Sequence, residues 1–202
     1  MIKNKIFRFT LLVVIGLAIA GSIAYVQISS DASKKQKSVV ASDFGGPLHL
    51  VDQNGKIFTD KDFEAGQYRL IYFGFTYCPA ICPTELQRMN TVLKDLGDKG
   101  EKITPYFITV DPERDNVDVI KNYISLFHPR MIGLTGTLAQ IEEAKKSYKI
   151  YAAKIKDETM SDYTMDHSSY IYFINPDNDL LRIFKANDST EDMVNTIEQY
   201  IE

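Results

Sequence analysis

Arg69-Leu70-Ile71-Tyr72-Phe73-Gly74-Phe75-Thr76-Tyr77-Cys78-Pro79-Ala80-Ile81-Cys82-Pro83 carries an almost unbroken apolar run into the only two cysteines of a 202-residue chain. A continuous apolar run of this length reads as a strand covered on both faces, which places 69–75 at the centre of a sheet. Beyond the cysteines, Leu86, Met89, Leu93 and Leu96 recur at helical spacing, and Pro83 suits a first helical position. The spacing therefore predicts a strand, a thiol-bearing turn and a helix, with Cys82 about at the N-cap and Cys78 just before it. The positive end of a helix dipole favours thiolate, the form that attacks disulfides and binds metals. If the first helical turn begins early, residues four apart share a face about 5–6 Å apart, so both sulfurs can meet one metal ion or one oxidant. They also fall within disulfide range, about 4.4–6.8 Å between Cα atoms. A stabilising disulfide is the ordinary reading of an even cysteine count in an exported protein. The closed loop here is minimal, however, and cross-link stabilisation grows with loop length, so the pair suits chemistry better than stapling.

Working outward, the chain opens with Lys3, Lys5 and Arg8 and then has no charged residue from Phe9 to Ser30. About 20 apolar residues span a bilayer as a helix, and a basic leading flank stays cytoplasmic. Residues 1–30 are expected to form a transmembrane anchor, with the remainder on the extracytoplasmic (periplasmic) side of the inner membrane. Ala18-Ile19-Ala20 offers the competing reading of a cleaved signal peptide, but apolar residues continue past it through Ile23, Ala24, Tyr25 and Val26. Residues 31–42, with Lys34, Lys35 and Lys37 among Ser and Ala, read as a flexible polar tether. Residues 43–202 have the size of one domain and carry 17 Lys and Arg against 26 Asp and Glu, a net −9. That surface argues against a nucleic-acid partner.

The exported part alternates strand-like and helix-like segments, which predicts an α/β fold. Gln53-Asn54-Gly55 between Leu48–Asp52 and Lys56–Thr59 predicts an N-terminal β-hairpin. Strands follow at 69–75 and 104–110, helices at 117–127 and 138–148, a short strand at 151–155, a polar loop at 156–166, strands at 168–174 and 180–184, and a helix at 190–201. This order is that of a thioredoxin-like domain. The crossover in its first half gives parallel pairing and the tight Asn175–Asn178 turn gives antiparallel pairing, so a mixed sheet flanked by helices is expected.

Three histidines compete to join the thiols. His167, beside Asp166 at the mouth of the strand 168–174, can point toward the cysteine end of the sheet; ordinary loop hydrogen bonds would satisfy it equally well. His49 in the hairpin and His128 at a helix end read as structural. Soft thiolates select copper(I), zinc or iron–sulfur clusters, and imidazole suits copper and zinc. Two cysteines are too few for a Cys-rich structural zinc site or a cluster, so copper fits the inventory. Met160 and Met165 could add thioethers, although loop methionines usually pack. Asp111, Glu113 and Asp115 read as a solvated or salt-bridged acidic loop. P-loop, Gly-x-Ser-x-Gly, His-Glu-x-x-His and Rossmann patterns are missing from the sequence.

Phe75-Thr76-Tyr77-Cys78-Pro79-Ala80-Ile81-Cys82-Pro83-Thr84, Thr109-Val110-Asp111-Pro112-Glu113-Arg114-Asp115 and Asp166-His167-Ser168 resemble, in that order, the three signature blocks of the Sco/SenC family. The resemblance covers essentially the whole exported domain. It implies a membrane-anchored, thioredoxin-like copper metallochaperone that helps assemble the dinuclear copper-A centre in subunit II of cytochrome c oxidase, alongside other copper carriers. It further implies that Cys78, Cys82 and His167 bind copper(I) or copper(II), with Asp111, Pro112 and Asp115 in support. Some members of the family resemble thiol reductants more than carriers. The alternative function is thus a thiol–disulfide oxidoreductase in which Cys78 and Cys82 are catalytic and reduce the acceptor's cysteines. Peroxide reduction on the same fold is disfavoured, because nothing in the sequence sets one thiol apart as peroxidatic.

Overall fold

The computed structural model describes residues 44–156 and 163–201. The segments read as membrane anchor and tether, and Met160, lie outside the described residues. In chain order the elements are β1 (His49–Asp52), β2 (Ile57–Thr59), β3 (Tyr68–Gly74), α1 (Ile81–Asp95), β4 (Ile103–Thr109), α2 (Val117–Ile124), β5 (Ile132–Thr135), α3 (Leu138–Ser147), β6 (Ala152–Lys156), β7 (Tyr163–His167), β8 (Tyr170–Ile174), β9 (Leu180–Lys185) and α4 (Thr190–Glu198). Among them no helix is long and apolar enough to cross a membrane.

The strands β2-β1-β5-β4-β3-β8-β9 form one sheet in that spatial order. Parallel pairs join β3 to β4 and β4 to β5, with α1 and α2 as the crossovers. Antiparallel pairs join β1 to β2, β1 to β5, β3 to β8 and β8 to β9, so the sheet is mixed. β3 and β4 are buried almost throughout, which is what their near-continuous apolar sequences require of interior strands. β3 lies one place from the middle. Between β1 and β2 the Asp52 carboxylate accepts the N–H groups of Asn54 and Lys56 at 2.8 and 2.9 Å, and Gly55 takes the left-handed φ of 78° that the turn needs.

Sequence and structure differ at three places. The strand β5 was not anticipated, because four residues around a glycine are too few to display a period. Gly133 within it is where α2 leans on the sheet: a Cβ there would collide with Ile120. The expected loop 156–166 instead ends in strand β7, which pairs with β6 as a separate two-stranded ribbon. Met165 turns inward into the core while Asp166 faces solvent, an alternation that the polar composition hides. Lastly, α1 starts at Ile81 rather than Pro83, so Cys82 lies inside its first turn.

Helix starts set up the site. α2, α3 and α4 begin with side-chain caps from Asn116, Thr137 and Ser189, the residue types that satisfy free N–H groups at a helix start. The N-cap of α1 is Ala80, which has no side-chain oxygen to offer.

Candidate functional site

What Ala80 cannot do, Cys78 does: its sulfur accepts the backbone N–H of Cys82 at 3.3 Å, inside the first turn of α1. A hydrogen bond from the Cys82 side chain, with backbone N–H donors of the turn adding to it, holds the Cys78 thiol far down, at about 4, against the opposing effect of burial. Its neighbour goes the other way. Sharing a proton with Cys78, with burial and the Cys78 charge adding to this, pushes the Cys82 thiol up. Cys82 is fully buried and Cys78 half-buried, and both are free thiols. Gly74 makes room for this packing, since a Cβ there would stand 3.0 Å from Cys82 Sγ and 2.7 Å from the Tyr72 ring.

His167 arrives from the other side, as the last residue of β7. Its Nδ1 lies 3.0 Å from the Ser168 carbonyl. A carbonyl only accepts, so Nδ1 carries a hydrogen and Nε2 is the ring nitrogen turned toward the cysteines. That Nε2 is 3.6 Å from Cys82 Sγ. The rings of Phe75 and Tyr72 meet the imidazole edge-on at 5.7 and 6.2 Å. Tyr72 is fully buried and donates to Cys82 Sγ at 3.6 Å.

The acidic loop is salt-bridged, as expected, at Asp111 to Arg114 and at Glu113 to Lys154, and only Glu113 of its three carboxylates is exposed. Asp111 and Asp115 are 1% and 0% exposed, because they are the fasteners of the two halves. The Asp115 carboxylate accepts the Thr76 N–H at 3.0 Å, the Thr109 hydroxyl at 2.6 Å and the Thr76 hydroxyl, tying the loop to the cysteine turn. Burial nonetheless raises its pKa, with the threonine donors pulling the other way. Asp111 accepts the Tyr163 hydroxyl at 2.8 Å and pairs with Arg114. Arg114 in turn donates to the Tyr163 carbonyl at 2.9 Å and stacks on that ring with 3.8 Å to its centroid. Thus one five-residue loop holds both the thiols and the histidine strand.

The three expected site residues are therefore brought together, while His49 is exposed on β1 and His128 accepts the Arg130 N–H. Met165 packs in the core. Among the described residues no three His, Cys, Asp or Glu side chains are already closed into a metal-ready cluster; the two sulfurs and the imidazole adjoin without converging fully. The fit is still good. Bonds of about 2.3 Å to sulfur and about 2.0 Å to nitrogen, the lengths zinc makes, can bridge the 3.6 Å between Cys82 Sγ and His167 Nε2, and the donor set is soft. Sequence reasoning missed Tyr72, Thr76, Thr109 and Tyr163; only Gly74, a glycine inside an apolar strand, carried a signal of close approach.

Comparison with known proteins places this arrangement. The SCO1/SenC family model matches residues 36–202. The mitochondrial protein SCO2 of Saccharomyces cerevisiae is 36% identical over 215 aligned positions, covering 100% of this chain and 70% of that protein. The copper-bound structure of Bradyrhizobium japonicum ScoI is 40% identical with a TM-score of 0.70, over 78% of this chain and 99% of that one. BsSco, described as a member of the Sco family of cytochrome c oxidase assembly proteins with a disulfide switch, is 25% identical with a TM-score of 0.61, over 79% of this chain and 95% of that one. This chain belongs to the SCO1/SenC family.

Proposed function

We propose that this protein is a copper metallochaperone of the family type. In it, Cys78, Cys82 and His167 hold one copper ion and pass it to an apo-acceptor, the copper-A site of cytochrome c oxidase subunit II. One observation carries the reading: the imidazole Nε2, with its Nδ1 committed to a carbonyl, stands 3.6 Å from a cysteine sulfur whose partner thiol is already held as thiolate. Dithiol chemistry has no need of that imidazole. The copper-bound relative supports the choice of metal, and the assembly role given to BsSco supports the choice of acceptor.

Cys78 and Cys82 as thiolates would hold copper(I), and His167 adds the borderline nitrogen that copper(II) favours. Three ligands leave room for an incoming ligand of the acceptor, so transfer proceeds by ligand exchange. Residues 1–30 would anchor the protein in the inner membrane and 31–42 would tether the 43–202 domain on the periplasmic side, within reach of a membrane-bound acceptor. The basic flank and the uncharged run from Phe9 to Ser30 support this topology.

The second reading, a thiol–disulfide oxidoreductase, is favoured by the asymmetry of the pair. A half-exposed thiolate, Cys78, would attack a substrate disulfide, and a buried thiol, Cys82, would resolve the mixed disulfide. Anaerobic titration of the reduced full chain with copper(I) separates the two. The carrier reading expects one copper per chain, with affinity falling by more than about 100-fold, the upper cost of losing an outer-shell partner, in Cys78→Ser and in Cys82→Ser. Unchanged affinity in either variant would leave the oxidoreductase reading alone.

A further inference from the structure

Buried tyrosine hydroxyls in this fold do not all need partners: among the described residues those of Tyr123 and Tyr148 are buried without one. Tyr72 differs. Its hydroxyl lies 3.6 Å from Cys82 Sγ and 2.9 Å from Ser169 Oγ, while both Tyr72 and Cys82 are 0% exposed. Ser169 belongs to the two-residue link between β7 and β8, the same link that follows His167. The hydroxyl bridge therefore joins the buried thiol to the connection bearing the imidazole.

The direction of the protons follows from counting them. The Tyr72 hydroxyl donates to Cys82 Sγ, so the Cys82 sulfur faces Tyr72 as an acceptor. The single phenolic proton then goes to sulfur, and Ser169, whose hydroxyl can donate and accept, donates to the tyrosine oxygen. A hydrogen bond to a thiolate sulfur is stronger than one to an uncharged disulfide sulfur, because the acceptor carries charge, and a reduced pair that shares one proton spreads that charge over both sulfurs.

We propose that Tyr72, oriented by Ser169, is a positioning residue that donates to Cys82 Sγ and biases the Cys78–Cys82 pair toward the reduced dithiol that can accept metal. It rests on the thiol pair being the working site, and its test does not require copper. Groups bonded to a cysteine sulfur tune its redox behaviour in metal and metal-free sites alike.

The test equilibrates the full chain, in detergent, with mixtures of glutathione and glutathione disulfide and measures the fraction of Cys78–Cys82 disulfide by alkylation and mass. In the exchange the glutathione S–S bond breaks as the protein S–S bond forms. Two electrons pass from the cysteines, and the two glutathione thiols take one proton from the pair and one from solvent, because Cys78 is already ionised. Tyr72→Phe, which keeps the ring against His167, should favour the disulfide about tenfold more than the parent, a potential lower by about 30 mV. Ser169→Ala should move the same way by a smaller factor, and Tyr148→Phe should not move it. In copper(II)-loaded samples the sulfur-to-copper absorption of Tyr72→Phe should shift to longer wavelength. A Tyr72→Phe equilibrium within twofold of the parent overturns the proposal. So does a Ser169→Ala shift in the opposite sense, which would mean that the phenolic proton points to serine; this arm decides the matter if Tyr72→Phe does not fold. A parent that binds no copper would sink the carrier reading while leaving the glutathione result decisive for Tyr72.

Discussion

The cysteine turn grows out of β3, an interior strand paired on both sides, whereas His167 ends β7, half of a two-stranded ribbon that shares no ladder with the main sheet. Around the thiols the packing is closed: Cys82 is fully buried, Gly74 leaves no space above it, and Asp115 fastens Thr76 by side chain and backbone. Around the histidine it is open. The outer end of β6 is exposed, and the ribbon is held chiefly by side chains: Tyr163 on Asp111 and Arg114, Lys154 on Glu113, and Lys145 on the Ala152 carbonyl. On the proposed carrier reading, the sulfurs are a preorganised half-site and the imidazole an adjustable one. A carrier needs both, since its ligands must hold an ion and then yield it.

The comparison breaks most severely at Asp115. Asp115→Ala would leave three hydrogen-bond donors to that carboxylate unmade inside the core, and bonds to charged groups contribute about 1.5–3 kcal/mol each. Loss of roughly 3 kcal/mol or more is expected in urea unfolding, with the cysteine turn released. A change below about 1 kcal/mol, the net worth of one ordinary hydrogen bond, would mean that the turn is held by something else.

On the histidine side the expected cost is smaller. Tyr163→Phe removes one bond to Asp111 while keeping the stacked ring, so stability should fall by about 1–2 kcal/mol. Copper(II) affinity should fall by about tenfold, as for other outer-shell changes, with copper(I) affinity nearly unchanged. Equal losses for both ions would show that the ribbon is no more adjustable than the turn.

The thiol half is sharpened by its response to pH. The folded Cys78 thiol is held at about 4, below the unfolded value of about 8.5. Its thiolate therefore contributes stability that is fully present above about pH 8.5, and this is lost progressively as pH falls toward about 4. In the reduced, metal-free protein, iodoacetamide should label Cys78 down to about pH 5, between those two values, and leave buried Cys82 unlabelled. A single profile for both thiols with a midpoint near 8.5 would contradict the assigned asymmetry.

The thiol half was legible in sequence because local rules govern it: a long apolar run, a proline near a helix start, and two cysteines between them. Even there the helix began at Ile81, since a sulfur from Cys78 could take an N–H that Ala80 could not. The histidine half was legible only by resemblance. Nothing local in Tyr163-Thr164-Met165-Asp166-His167 announces a strand, because its partner β6 lies across a segment of polar residues and its anchors lie some 50 positions away at Asp111 and Arg114. In the acidic loop the salt bridges were legible and the burial was not, for the same reason. Asp111 and Asp115, two of the three carboxylates in that five-residue stretch, show no sign of burial until their threonine, tyrosine and arginine partners, all but Arg114 outside the stretch, are brought to them by the fold.

The central claim is that the thiols form a copper(I) half-site complete without the imidazole, and that His167 matters chiefly to copper(II). Its direct test is paired titration of the parent and His167→Ala with copper(I) under anaerobic conditions and with copper(II). The account predicts that His167→Ala loses copper(II) affinity by more than about 100-fold, beyond the outer-shell range, and copper(I) affinity by less than about tenfold, the lower end of that range. Comparable losses for the two ions would contradict it.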